Sequence, residues 1–191
     1  MGTPRRLWYP GMIAHVVNRG NHKDNIFKED MDFRVYIKLI KETLEKYKED
    51  EYKIICYCLM TNHVHILMKS GNKNISYFMN RLNSTYAKYF NSKYEFVGHL
   101  FQDRYYSGPI QGDGQLLRVS KYIHLNPVKA NITKKPELYK WSSYNMIIGN
   151  DEETLIDKNI ILNNYNYENE AEKYKAYKAF IDKVEDEGEG A

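Results

Sequence analysis

The chain has 191 residues, 28 Lys and Arg against 25 Asp and Glu, a formal charge of +3, 42% hydrophobic residues and 18 tyrosines. That apolar share supports a packed core and excludes wholesale disorder, while the length falls short of an ordinary eightfold β/α barrel. No apolar run approaches the roughly 18 residues that span a bilayer, and residues 1–11 do not read as a secretory signal, so a cytosolic protein is expected.

Residues 12–18 are a β-rich run closed by Arg19-Gly20-Asn21, which predicts a strand and then a loop. Asp30 is a candidate N-cap for a helix to about Glu49, with Phe33, Tyr36, Ile37, Ile40 and Leu44 on one face. Residues 52–60 form a continuous apolar run of strand length. It holds the only two cysteines, Cys56 and Cys58, too few for a disulfide framework and expected to be buried and reduced. Thr61-Asn62 makes a tight break before a second strand at 63–69, so the pair reads as a hairpin. A helix over 75–91 follows, with Ile75, Phe78, Met79, Leu82 and Tyr86 at helical spacing. Residues 104–111 look extended. Asp113 is a candidate N-cap for a helix that ends at Asn126, because Pro127 follows. The order βαββαβ, then a helix, is the split βαβ pattern of an α+β, ferredoxin-like fold: an antiparallel sheet with helices on one face, plus one further helix.

Charge is unevenly spread. Residues 1–140 carry 23 basic and 13 acidic side chains, net +10, and residues 141–191 carry 5 and 12, net −7. A basic body suits a polyanion such as nucleic acid, although a lysine-rich solvated surface would read the same way. The expected division is a body over 1–149 and an acidic extension over 150–191. That extension is mainly helical, with Tyr174, Tyr177, Phe180 and Ile181 on one face, and ends in an acidic, glycine-rich, frayed stretch at 185–191.

His63 and His65 are two apart on a strand, so their imidazoles share a face and can share a metal ion. Two polar residues on an exposed strand face would give the same pattern, and a metal needs at least one further ligand. Tyr122 and Asn126 are i and i+4 on the last body helix and share a face there. With 18 tyrosines and as many asparagines, that spacing is uninformative by itself, and Tyr122 could equally be a partly buried aromatic. His124, about 200° around the helix from Tyr122, is expected to face away from it.

Four strings occur together: His15-Val-Val-Asn-Arg-Gly20; Met60-Thr-Asn-His-Val-His65; Gly98-His-Leu-Phe-Gln-Asp-Arg-Tyr105; and Tyr122-Ile-His-Leu-Asn-Pro-Val-Lys-Ala130. Jointly they resemble the REP-associated tyrosine transposases, single-tyrosine HUH transposases of insertion-sequence type, over roughly residues 4–149. The resemblance implies that His63, His65 and Asn126 bind Mg²⁺ or Mn²⁺ and that Tyr122 is the nucleophile. It also implies a partner, single-stranded DNA with palindromic hairpins, cleaved and rejoined through a 5′-phosphotyrosine link. Such an enzyme would work in the bacterial cytosol at the nucleoid, as a monomer or as a homodimer, with no membrane involved.

Arg19, Arg81, Lys88, Arg104, Lys121 and Lys129 lie in or near the motif strings and are candidate DNA contacts. Basic side chains neutralise phosphates without reading sequence. Tyr105 and Tyr106 are candidates to stack on unpaired bases. His99 and Gln102 are open between a loop role and a DNA contact. Two other functions compete with the transposase: a catalytically idle, domesticated relative that binds structured DNA or RNA, and a metal hydrolase of small substrates built on His63 and His65.

Overall fold

The strand-forming runs assemble into one antiparallel sheet in the computed structural model, which describes residues 7–152 and 155–183. The strands are β1 (Ile13–Arg19), β2 (Lys53–Met60), β3 (His63–Lys69) and β4 (Tyr106–Pro109), in the order β2-β3-β1-β4. β1 and β2 are joined through helix α1 (Asp30–Lys46), yet β3 lies between them and is antiparallel to both. Helix α2 (Ile75–Tyr94) then leads to β4 on the far side of β1. This is the ferredoxin-like arrangement.

β2 is buried at every residue after Lys53, as its unbroken apolar sequence demands. Helices α1 and α2 pack together, and helix α3 (Gly112–Lys129) packs on β2 and β3. The sheet is therefore covered on both sides. Ala14, Val16, Val64 and Ile66 point to one face, and the residues between them point to the other, against α3. Cys56 and Cys58 are free, buried thiols, both pushed up by desolvation. Many of the tyrosines are core residues. Tyr36, Tyr57, Tyr86, Tyr144 and Tyr177 are fully buried, and Tyr86 Oη donates to the Ile26 carbonyl at 2.5 Å.

Helix ends differ from the expectation at several points. The cap of α1 is Glu29, in a reciprocal box with Asp32, and Asp30 is the first helical residue, salt-bridged to Lys140. The helix stops at Lys46, where Lys48–Asp50 tightens into a 3₁₀ turn. α2 runs about one turn beyond Asn91, to Tyr94. β4 is shorter than the extended stretch from Arg104 to Gln111. α3 starts after Gln111, not at Asp113, and Gln115 Oε1 accepts from the Gln111 N–H at 2.6 Å. It also runs through Pro127 to Lys129. A proline this close to the end removes one hydrogen bond, while Ala130 N–H still reaches the Asn126 carbonyl at 2.9 Å and Ile132 N–H the Pro127 carbonyl at 2.9 Å.

Asp32 joins the two outer helices. It is fully buried and accepts from the Lys28 N–H (2.8 Å), Lys93 Nζ (2.6 Å), Tyr94 Oη (2.7 Å) and Tyr89 Oη (2.9 Å). Burial alone would raise its pKa, but these donors, Lys93 foremost, hold it down at about 2. Because the folded pKa lies below the usual 3.8, the stabilisation is complete above that value and is lost as the pH falls towards 2. Asp32→Ala is expected to cost about 2–4 kcal/mol at pH 7, since it removes the buried carboxylate on which the Lys28 N–H, Lys93, Tyr89 and Tyr94 converge. In urea unfolding the gap to wild type should narrow between pH 4 and pH 2.

The described part of the extension folds back on α3. Short helices α4 (Tyr144–Ile147) and α5 (Asn159–Leu162) lead to α6 (Glu170–Asp182), on which Tyr177 and Ile181 are buried. Ion pairs tie the acidic extension to the body: Lys53 to Asp157 at 2.7 Å and Glu137 to Lys178 at 2.5 Å. The frayed stretch expected at 185–191 lies outside the described residues.

Candidate active site

Strand alternation turns His63 and His65 to the same face, the one that α3 covers. His63 is half-buried and His65 is buried. β1 lies alongside in register, with Arg19 opposite His63 and Val17 opposite His65. One pleat further along β1 is His15. Its Nε2 is 3.0 Å from His65 Nδ1, and the two rings stack with centroids 5.2 Å apart. On the other ring, His63 Nδ1 donates to Asn62 Oδ1 at 2.6 Å. Both β3 histidines thus use Nδ1 within the protein. For His63, which donates to an amide oxygen, that leaves the lone pair on Nε2, and His65 Nε2 is buried without a hydrogen-bond partner.

All three rings are held neutral. Burial lowers His15 to about 4. Burial, and then the Arg19 charge, lower His63 to about 4. His65 falls to about 2, again through burial first and then through the repulsion of His63 and His15 when protonated and of Arg19. Neutral imidazoles are the form that ligates metals.

Tyr122 projects from α3 towards this cluster. Its ring meets His65 edge-on at 5.5 Å and His15 edge-on at 6.0 Å, yet the side chain stays 43% exposed. That exposure sets it apart from the core tyrosines. The Lys129 ammonium sits 5.6 Å from the centre of the Tyr122 ring. Asn126, one turn beyond, donates through Nδ2 to the Tyr122 carbonyl at 2.8 Å, so its Oδ1 is the free end of the amide. Among the described residues, no group of three His, Cys, Asp or Glu side chains is poised to hold a metal.

The back of α3 is bolted down. His124 is fully buried, with Nδ1 2.8 Å from Tyr177 Oη and Nε2 3.2 Å from Ser143 Oγ, and burial lowers it to about 3. It does face away from Tyr122. Tyr177 Oη donates to Ser120 Oγ at 3.0 Å. Lys121 belongs to this buried side, which corrects its assignment as a DNA contact. It is 4% exposed and donates to the Phe180 and Lys183 carbonyls at 3.1 and 2.6 Å. The last carbonyls of α6 attract a cation, and α3 carries Lys121 directly over them. Tyr105 is also withdrawn, because it is buried in the core and cannot stack on a base, whereas Tyr106 beside it is exposed. Arg19, Arg81, Lys88, Arg104 and Lys129 are all exposed; Arg19 and Lys129 border the histidine–tyrosine cluster.

His15 was legible only as part of a motif string. Its role depends on β1 pairing with β3 in one register, which no local pattern reveals.

Residues 9–126 match the sequence pattern of the family described as IS200-like transposases. The fold is similar to that of a REP-associated tyrosine transposase solved bound to a REP hairpin, with a TM-score of 0.63 at 17% identity over 78% of this chain and 86% of that one. A Deinococcus radiodurans R1 protein described as a transposase aligns with a TM-score of 0.41 at 15% identity, over 64% of this chain and 95% of that one. No curated protein matches the chain. Among the described residues, no helix is long and apolar enough to cross a membrane.

Proposed function

The chain belongs to the IS200-like transposase family, and from that premise we propose that it cleaves and rejoins single-stranded DNA beside hairpins, with Tyr122 as its nucleophile. The observation that carries this reading is the exposed Tyr122 ring held edge-on, 5.5 Å from a buried histidine whose Nε2 has no partner. Tyr122 Oη attacks phosphorus, and the bond to the 3′ oxygen breaks. That oxygen takes up a proton from solvent, and the 5′ end stays on Tyr122 as a phosphotyrosine. Attack by an incoming 3′-hydroxyl reverses the step, so rejoining needs no outside energy source. The phenol proton leaves to water on the exposed side, since His124 is turned away. The Lys129 ammonium favours the phenolate as it forms.

The donor chemistry fits a divalent ion, Mg²⁺ or Mn²⁺. An orphaned buried imidazole nitrogen, a second neutral imidazole and the free amide oxygen of Asn126 would hold it. When bound, such an ion draws negative charge off the scissile phosphate. His15 acts through His65: by accepting from Nδ1–H it keeps the His65 lone pair on Nε2. His15→Ala is therefore expected to weaken Mn²⁺ binding about 10–100-fold in a calorimetric titration, with partial recovery in His15→Gln, which keeps an acceptor.

The test is covalent capture. Labelled single strands carrying a palindromic hairpin, with Mn²⁺, should give a protein–DNA adduct that survives denaturation. Tight, salt-dependent binding without an adduct, across metals and sequences, would instead mark the idle DNA- or RNA-binding relative.

A further inference from the structure

We propose that α6 is a brace that positions the nucleophile, with Tyr177 and Lys121 as its two fastenings. Ser120 and His124 stand two residues before and two after Tyr122 on α3. At about 100° per residue, both fall on the face opposite it. Tyr177 Oη meets both at once, 2.8 Å from His124 Nδ1 and 3.0 Å from Ser120 Oγ. All three side chains are fully buried. The other ring nitrogen of His124 lies 3.2 Å from Ser143 Oγ, which accepts the Tyr57 N–H of β2 at 2.8 Å. Lys121 grips α6 a second time, through the Phe180 and Lys183 carbonyls. The helix is thus tied to α6 and to β2 at three residues, each within two positions of Tyr122.

On the cluster side the holds are weaker. They are ring edges of Tyr122 against His65 and His15, and an Asn126 amide that bonds back to its own helix. Apolar packing of α3 on the sheet resists separation but has no direction, whereas hydrogen bonds fix an angle. That angle matters because the reacting oxygen ends a long side chain. A turn of α3 by about 10° moves an atom about 6 Å from the axis by about 1 Å. A misplacement of that size costs about a hundredfold in rate. The junction is also shielded from solvent, which strengthens its hydrogen bonds. Tyr144 packs 5.3 Å from the His124 ring and Tyr165 6.3 Å from the Tyr177 ring, centre to centre. A brace must itself be held, and α6 is. Lys158 Nζ donates to Tyr174 Oη at 2.7 Å and pairs with Glu170 at 3.1 Å, while Lys178 pairs with Glu137. Gly149 lets Tyr174 seat closely, since a Cβ there would lie 2.5 Å from that ring.

This inference rests on the reading that Tyr122 is the nucleophile, and its test separates the two. Single-turnover adduct formation is timed on the full chain, with saturating Mn²⁺ and a labelled strand carrying a palindromic hairpin, well below every variant's Tm. Tyr177→Phe removes only the hydroxyl and should slow the adduct about 10–100-fold, with strand affinity by anisotropy unchanged. Lys121→Met keeps the length of the buried stem and should slow it too; it stands in if Tyr177→Phe does not fold. The matched control is Tyr86→Phe, which deletes an equally buried hydroxyl, bonded to the Ile26 carbonyl on the other side of the sheet. It should lose a comparable amount of Tm and keep the wild-type rate. Equal slowing in Tyr86→Phe would show general destabilisation and overturn the proposal. So would a wild-type rate in Tyr177→Phe, or slowing matched by lost strand affinity. If the wild type formed no adduct, the nucleophile reading itself would fall. Hydrogen exchange of the α3 amides would then decide the brace: faster exchange in Tyr177→Phe than in Tyr86→Phe supports it, and equal exchange overturns it.

Discussion

Tyr122→Phe is expected to abolish the covalent protein–DNA adduct, a loss of about 10⁴-fold or more in cleavage, while DNA affinity and Tm stay close to wild type. Only one oxygen is removed. The ring contacts with His65 and His15 survive, and a side chain already 43% exposed contributes little to stability. The readout is the shifted, labelled band on a denaturing gel. An unchanged adduct in the variant would sink the nucleophile assignment. Tyr106 would then be the residue to trace by peptide mapping. It is exposed on β4 opposite Val17 and so belongs to the same sheet face as the histidines.

His65→Ala is expected to lose both Mn²⁺ binding and cleavage, the latter by about 10³-fold or more, because it deletes the buried imidazole nitrogen that has no other partner. It should also cost about 1–3 kcal/mol of stability, since the His15 ring loses its stacking and hydrogen-bond partner. His63→Ala should match it in activity with a smaller stability change, because that ring is only half-buried. The pair of variants also separates the transposase from a small-substrate hydrolase. Hydrolysis of a small phosphodiester that survives Tyr122→Phe but disappears with His65→Ala would favour the hydrolase.

Local patterns went far in this chain. The β-rich run and the Thr61-Asn62 break located β1 and β3, helical spacing located α1 and α2, and a cap and a proline located α3, each within a turn or so. Pro127 misled because it was read as a stop, whereas a helix loses little to a proline in its final turn when the next N–H groups bond backwards. Lys121 misled for a different reason. A lysine beside a motif reads as a surface charge, and nothing near it in sequence announces that the carbonyl end of α6 will pack there, some sixty residues later.

The overall +3 charge showed the same division between local and distant information. Counting alone separated the basic body from the acidic extension. Folding then laid the extension against the back of the tyrosine helix, where Tyr177 meets His124 and Ser120.

The sequence by itself determined which side chains share a face. His63 and His65 must point together on a strand, and Tyr122 and Asn126 together on a helix, because those geometries follow from backbone repeat alone. The tertiary structure decided what each face meets. Strand register brought His15 to His65, and helix packing set Tyr122 against both while burying Lys121. The same sheet left the Asn18 amide without a partner on its other side. Register and packing are settled by the burial of the whole core, a property of residues far apart in the chain.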